Sequence, residues 1–191
     1  MKAVFKSLLA ASVVLGLAAC SSTPAGWKRI SEGEIDQKSY AVAYGSTAQT
    51  YEDRVNESYD IDSYIRGVDD YFNNKTELPI EQIRGSLLNR MLDHDVYAYY
   101  SGVLDAASFQ SKANYLSPKC WNLVHKPSVT QGIQDAMLDL QKGKARLNDE
   151  YIVKGADDFL HQCVEKVEDD QKAKSANKKS TKKGVKKSRA K

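Results

Sequence analysis

Asp60-Ile61-Asp62-Ser63-Tyr64-Ile65-Arg66-Gly67-Val68-Asp69-Asp70-Tyr71-Phe72 is the stretch whose spacing settles the kind of fold. Ile61, Tyr64/Ile65, Val68 and Tyr71/Phe72 recur every three or four residues, which places them on one face of a helix. The Asp60–Ser63 quartet offers several caps for its first turn. Asn73-Asn74-Lys75 then reads as a turn, and Pro79 suits the start of a further helix with Ile80, Ile83, Leu87 and Met91 on its inner stripe.

Outward from this segment the same period returns. Tyr40, Tyr44, Thr47/Ala48, Tyr51 and Val55 mark a preceding helix on which tyrosine is unusually prominent. This face reads either as core with hydroxyls at its rim or as a partner-binding surface of Tyr40, Tyr44 and Tyr51. The helix after Pro79 either runs on through Val96–Tyr100 towards Leu104 or kinks near Asp93-His94-Asp95. Residues 105–127, with Pro118 and Pro127, look least regular: short helical turns joined by loops. Ser128 and Gln131 have the spacing of a capping box ahead of Ile133, Ala136/Met137 and Leu140, and Gly143 closes that helix. Asn148 or Asp149 begins a last one, with Ile152, Ala156, Phe159/Leu160, Cys163 and Val167 facing inward. No stretch alternates with period two. The expectation is an all-α chain with a single helical domain of about five helices.

Laid on itself at an offset of 69, residues 64–83 face 133–152, and Asp70/Asp139, Lys75/Lys144, Leu78/Leu147, Glu81/Glu150 and Ile83/Ile152 coincide. Two related helix hairpins, or two hairpins that need similar punctuation, explain this equally.

The N-terminus has a different character. Lys2 and Lys6 precede the apolar run Leu8–Ala19, which ends at Leu17-Ala18-Ala19-Cys20. This is the layout of a secretory signal peptide, and it resembles a bacterial lipoprotein signal. The run is too short for a span, which takes about 20 apolar residues. The resemblance implies cleavage before Cys20 and lipidation of that residue, so that the mature chain is membrane-anchored. Ser21, rather than Asp, after the cysteine implies the outer membrane by the enteric sorting rule, lipid-anchored and facing the periplasm. The expected division is signal peptide 1–19, tether 20–33, helical domain 34–167 and tail 168–191.

Charge is segregated. The chain's net +3 conceals a body, residues 20–170, with 16 basic and 25 acidic residues, and a tail, residues 171–191, with ten basic and none acidic. Lys178-Lys179, Lys182-Lys183 and Lys186-Lys187 repeat every four residues among Ser, Thr, Gly and Val. Such a tail is expected to be disordered, and those six lysines are candidates for binding a polyanion in a salt-dependent way.

In an exported protein Cys120 and Cys163 read as a disulfide pair. Closing that loop of 44 residues contributes up to ~4 kcal/mol in the chain-entropy picture. His94, His125 and His161 show no ligand spacing with the cysteines beyond His161-Gln162-Cys163, so neither metal nor cofactor is expected. The adjacent acids Asp69-Asp70, Asp157-Asp158 and Glu168-Asp169-Asp170 point about 100° apart on a helix and read as solvated faces. No nucleophile motif or phosphate loop is present, and the chain is read as a non-enzyme with no small-molecule substrate.

One further resemblance concerns about residues 36–92. Asp36-Gln37-Lys38-Ser39-Tyr40-Ala41-Val42-Ala43-Tyr44-Gly45 and Ile61–Asp70, followed by Lys75, Leu78 and Glu81, are similar to the N-terminal domain of Mip-like, FKBP-type peptidyl-prolyl isomerases. The resemblance implies a helical arm that intertwines two protomers and holds unfolded clients. It does not extend to isomerase activity, because that family's β-rich catalytic domain has no counterpart after residue 92. The resulting expectation is a non-enzymatic outer-membrane lipoprotein that holds or helps assemble a periplasmic or outer-membrane protein partner, with a homodimer as one form. The alternatives are a polyanion-binding envelope protein acting on an anionic polymer through its lysine tail, and a pilot-type lipoprotein escorting a secretion component.

Overall fold

The computed structural model describes residues 27–88 and 91–188, with residues 170 and 173–188 as backbone only. Its helices are α1 (Gln37–Tyr51), α2 (Ile61–Phe72), α3 (Ile80–Ser86), α4 (His94–Leu116), α5 (Pro118–Trp121), α6 (Lys126–Gln141) and α7 (Glu150–Ser188), after a 3-10 turn at Glu32–Glu34. The described residues contain no strand. The fold is all-α and a single domain.

Local chemistry sets the boundaries. Asp36 and Asp60 cap α1 and α2 by accepting the Ser39 and Ser63 N–H groups at 2.8 and 3.0 Å. Asp149 caps α7 from the Tyr151 and Ile152 amides. The turn after α2 places Asn74 at φ 56°, and the turn after α6 places Gly143 at φ 63°. In both, a lysine amide folds back onto an aspartate carbonyl, Lys75 to Asp70 at 2.7 Å and Lys144 to Asp139 at 2.8 Å.

α2 packs against α4, α1 packs against α6 and α7, and α2 also meets α6. The main core holds Ile61, Tyr64, Ile65, Val68 and Phe72 of α2 with Ala98, Ala106, Val129, Ile133 and Met137. The Tyr40–Tyr44 face of α1 is thus covered by α6 and α7 of the same chain.

Several expectations change. The segment after Pro79 is two helices, α3 and α4, so the break falls before His94. Residues 105–116 are continuous helix, because α4 buries small residues, Ala98, Gly102, Ala106 and Ala113, that leave little hydropathic period. The Ser128–Gln131 capping box is not formed. α6 begins three residues earlier, with His125 at its N-cap and Lys126 its first residue, and the Ser128 hydroxyl instead accepts the Asp36 N–H at 2.8 Å. Residues 27–33 are docked rather than a tether: Trp27 packs on the core and Arg29 pairs with Asp135 at 2.6 Å. α7 runs on as helix to Ser188, into the tail 168–191. Up to Lys183 that tail carries neither Gly nor Pro, and Lys, Ala, Gln and Glu are strong helix formers. The signal peptide 1–19, Cys20 and the first part of the tether lie outside the described residues.

Candidate functional site

The helix crossings reuse one arrangement. Gly67, Gly102 and Gly132 each lie beneath a tyrosine carbonyl of the facing helix, those of Tyr99, Tyr64 and Tyr40 respectively, so closely that a Cβ would collide with backbone. In each case the aspartate three residues after the glycine receives the hydroxyl of that same tyrosine. Tyr99 donates to Asp70 at 3.1 Å and Tyr40 to Asp135 at 3.0 Å, and Tyr64 donates to Asp105, which also receives Tyr51. At the α2–α4 crossing the arrangement is reciprocal. Gly-x-x-Asp at 67–70, 102–105 and 132–135 is the sequence signal that would have located these crossings.

The candidate partner residues are therefore interior. Tyr40 is 5% exposed and Tyr44 0%, and Tyr51 is half-buried with its hydroxyl on Asp105. The burial of Tyr40 and Tyr44 beneath α6 and α7 corrects the expectation of a tyrosine-lined partner surface, while Tyr51 turns its hydroxyl inward to Asp105 of α4. Burial first, and then the Asp135 carboxylate, holds the Tyr40 hydroxyl well above the ordinary phenol range, and burial with Asp105 does the same for Tyr51 and Tyr64. These hydroxyls remain protonated donors at neutral pH and serve the packing.

Cys120 and Cys163 are brought together. Both are buried thiols, clustered with Phe159, and burial followed by hydrogen bonding to Cys120 pushes the Cys163 thiol up to about 12. Lys178, Lys179, Lys182, Lys183, Lys186 and Lys187 fall on the backbone-only part of α7. His94 and His161 are exposed, and the His125 ring nitrogen Nδ1 lies 2.7 Å from the Ser128 hydroxyl. The described residues contain no cluster of three or more metal-ligating side chains, and no helix among them is long and apolar enough to cross a membrane.

Concavity is found elsewhere. A cleft of about 360 Å³ opens between α2, the turn and helix α3 that follow it, and the first turns of α4. Val96, Tyr99 and Tyr100 of α4 line one side, and Arg66 and Asp70 of α2 with Glu77 line the other. The Arg66 guanidinium sits 5.3 Å from the Tyr99 ring centroid. Burial, then Asp70, keeps the Tyr99 hydroxyl well above its ordinary range. The same elements expose Leu88, 84% accessible, and Tyr97. Sequence reading missed this site because its walls come from segments up to 34 residues apart and its residues carry no motif.

Comparison with known proteins places the chain in one family. A protein of Haemophilus influenzae described as "Uncharacterized protein" is 47% identical to this chain over 138 residues, which are 72% of this chain and 78% of that protein. No solved structure matches the chain. Residues 33–165, from the 3-10 turn through the buried part of α7, match the family described as "Uncharacterised lipoprotein", and the chain belongs to that family.

Proposed function

We propose that this lipoprotein is a non-enzymatic binding protein, anchored through Cys20 at the periplasmic face of the outer membrane, that holds a protein partner in the α2–α3–α4 cleft. The observation that carries this reading is the cleft itself. Its aromatic and apolar walls, Val96, Tyr99 and Tyr100, flank four charged side chains, Arg66, Asp70, Lys75 and Glu77, a composition suited to seating one or two side chains of another protein. Family membership supports the anchor. A client-holding role of the Mip-like kind is the finer form of the reading, and assembly of an envelope component is its sibling.

Photo-crosslinking in cells tests it. A photoreactive residue at Val96 or Tyr100 is expected to give a discrete protein adduct that the same residue at Tyr115, 91% exposed on the far end of α4, does not give. Equal adducts at both places, or none at Val96 and Tyr100, refute it. Cys20→Ser is expected to move the protein out of the outer-membrane fraction.

The second reading is a polyanion-binding α7. It is favoured by the continuation of that helix through all six paired lysines. It predicts binding to anionic polymer that is lost when residues 171–191 are deleted and that falls steeply with salt.

A further inference from the structure

We propose that the α2–α3–α4 cleft receives a guanidinium group, the side chain of an arginine on the bound partner. The inference rests on the partner-binding reading and narrows it to one chemistry.

The chain contains a filled counterpart of this cleft. Asp70 and Asp139 occupy the same place before two turns of the same geometry, each four residues ahead of the positive-φ residue, Asn74 or Gly143. Each carboxylate receives a tyrosine hydroxyl from the facing helix, Tyr99 to Asp70 at 3.1 Å and Tyr44 to Asp139 at 2.8 Å. Seven residues after Asp139 comes Arg146. Its guanidinium lies 4.7 Å from the Tyr44 ring centroid, its Nε donates to Asp139 at 2.9 Å and its Nη2 to the Tyr40 hydroxyl at 3.0 Å. This seat is therefore filled from within the chain.

Seven residues after Asp70 the chain has Glu77, exposed and acidic. Four residues before Tyr99 it has Asp95, where Tyr40 stands four before Tyr44. The first seat thus lacks both the arginine and the second tyrosine of the other, and the cleft is the space they would fill. Among the described residues the Asp70 carboxylate has the Tyr99 hydroxyl as its hydrogen-bond partner and no ion pair. A guanidinium entering there meets Asp70, Glu77 and the Tyr99 ring. Arg66 already lies over the Tyr99 ring, at 5.3 Å against 4.7 Å for Arg146 over Tyr44, and its Nη2 reaches the Ser63 hydroxyl at 3.5 Å, so an entering guanidinium shares that ring and takes the Asp70 and Glu77 side.

The lining charges, Arg66 and Lys75 against Asp70 and Glu77, cancel, so selection rests on the flat fork of donors rather than on positive charge alone. Arginine is accordingly preferred over lysine.

The test uses the full chain in detergent micelles, followed by NMR of the Tyr99 ring and the α4 amides. The probes are capped arginine (Nα-acetyl-arginine methylamide), the equivalent capped lysine and capped citrulline, and inorganic phosphate. Capped arginine is expected to give saturable shifts centred on Tyr99, with at least tenfold weaker response to lysine and citrulline. Asp70→Asn is expected to weaken arginine binding at least tenfold. Glu77→Arg, which places a guanidinium where Arg146 stands in the other seat, is expected to abolish it and raise the melting temperature. No saturable shift from arginine, an equal response to citrulline, or shifts from phosphate in place of arginine would overturn the proposal. A Val96 crosslink that persists while arginine fails to bind removes the guanidinium and keeps the partner reading. Arginine binding without a cleft crosslink removes the partner reading and keeps the site.

Discussion

Replacing Gly102 by alanine probes the helix crossing on which the cleft is built. An added Cβ would stand 2.9 Å from the Tyr64 carbonyl carbon and 3.2 Å from its Cα, and nearer still to the carbonyl oxygen. Ordinary contact begins near 3.4 Å, and the obstacle is backbone, which cannot rotate away as a side chain would. α2 and α4 must part by roughly 1 Å, and overpacking of this kind costs about 1–3 kcal/mol. The parting also stretches the Tyr64–Asp105 and Tyr99–Asp70 hydrogen bonds, about 1 kcal/mol more. Against this, alanine is intrinsically better than glycine inside a helix by about 1 kcal/mol. The net expectation is about 1–3 kcal/mol lost, a melting temperature lower by roughly 2–12 °C for a domain of this size. Gly85 in α3, where a Cβ meets nothing within 4 Å, supplies the opposite sign: Gly85→Ala gains up to ~1 kcal/mol. Thermal melts by circular dichroism on both variants decide the matter. A Gly102→Ala protein that melts at or above the wild type refutes the close crossing.

Arg146→Ala removes the guanidinium that ties Tyr40, Tyr44 and Asp139 together. With that side chain 42% exposed, a loss of about 1–2 kcal/mol is expected in denaturant titration. Stability is expected to be level near neutral pH and to fall as pH rises from about 10. The unfolded tyrosines ionise near 10, whereas burial pushes Tyr59 up to about 12 and keeps Tyr40, Tyr51 and Tyr64 higher still. The folded form therefore retains protons that the unfolded form has lost, and the difference favours unfolding across that window; absorbance of tyrosinate should rise together with loss of helix. In an oxidising envelope Cys120 and Cys163 are expected to give up two protons and two electrons to a disulfide donor and join. Both thiols should then resist alkylation in unfolded protein until a reductant is added, and reduction should remove up to ~4 kcal/mol of stability.

The sequence was most legible where burial is one-sided and bulky. α2 buries Ile61, Tyr64, Ile65, Val68 and Phe72, so its period and its cap were visible in residues 60–72. α4 was not, because its inner face is Ala98, Gly102, Ala106 and Ala113. These small residues permit close approach, and hydropathy does not distinguish them from a neutral surface. The tyrosines of α1 were recognised as one face, but their partners were not. Tyr40 meets an aspartate 95 residues away, and periodicity carries no such long-range information. The turns at Asn74 and Gly143 were marked correctly, and their shared geometry shows why an offset of 69 aligned them. The cleft arises from a difference between two similar surroundings, Glu77 against Arg146, which becomes meaningful only once both are seen in space.

The crossing geometry also sets an order of assembly. Tyr99 reaches Asp70 across 29 residues and Tyr64 reaches Asp105 across 41, but Tyr40 must wait for Asp135, 95 residues on. Loop closure for the last is costlier than for the first by only about 1 kcal/mol. In a chain made N-terminus first the delay is one of supply. α1, the first helix to appear, cannot bury its tyrosines until α6 and α7 exist, whereas α2 and α4 can close early. For that interval α1 presents an aromatic, aggregation-prone stripe with no internal cover. An N-terminal helix whose mates arrive last keeps that stripe uncovered until the chain is nearly complete.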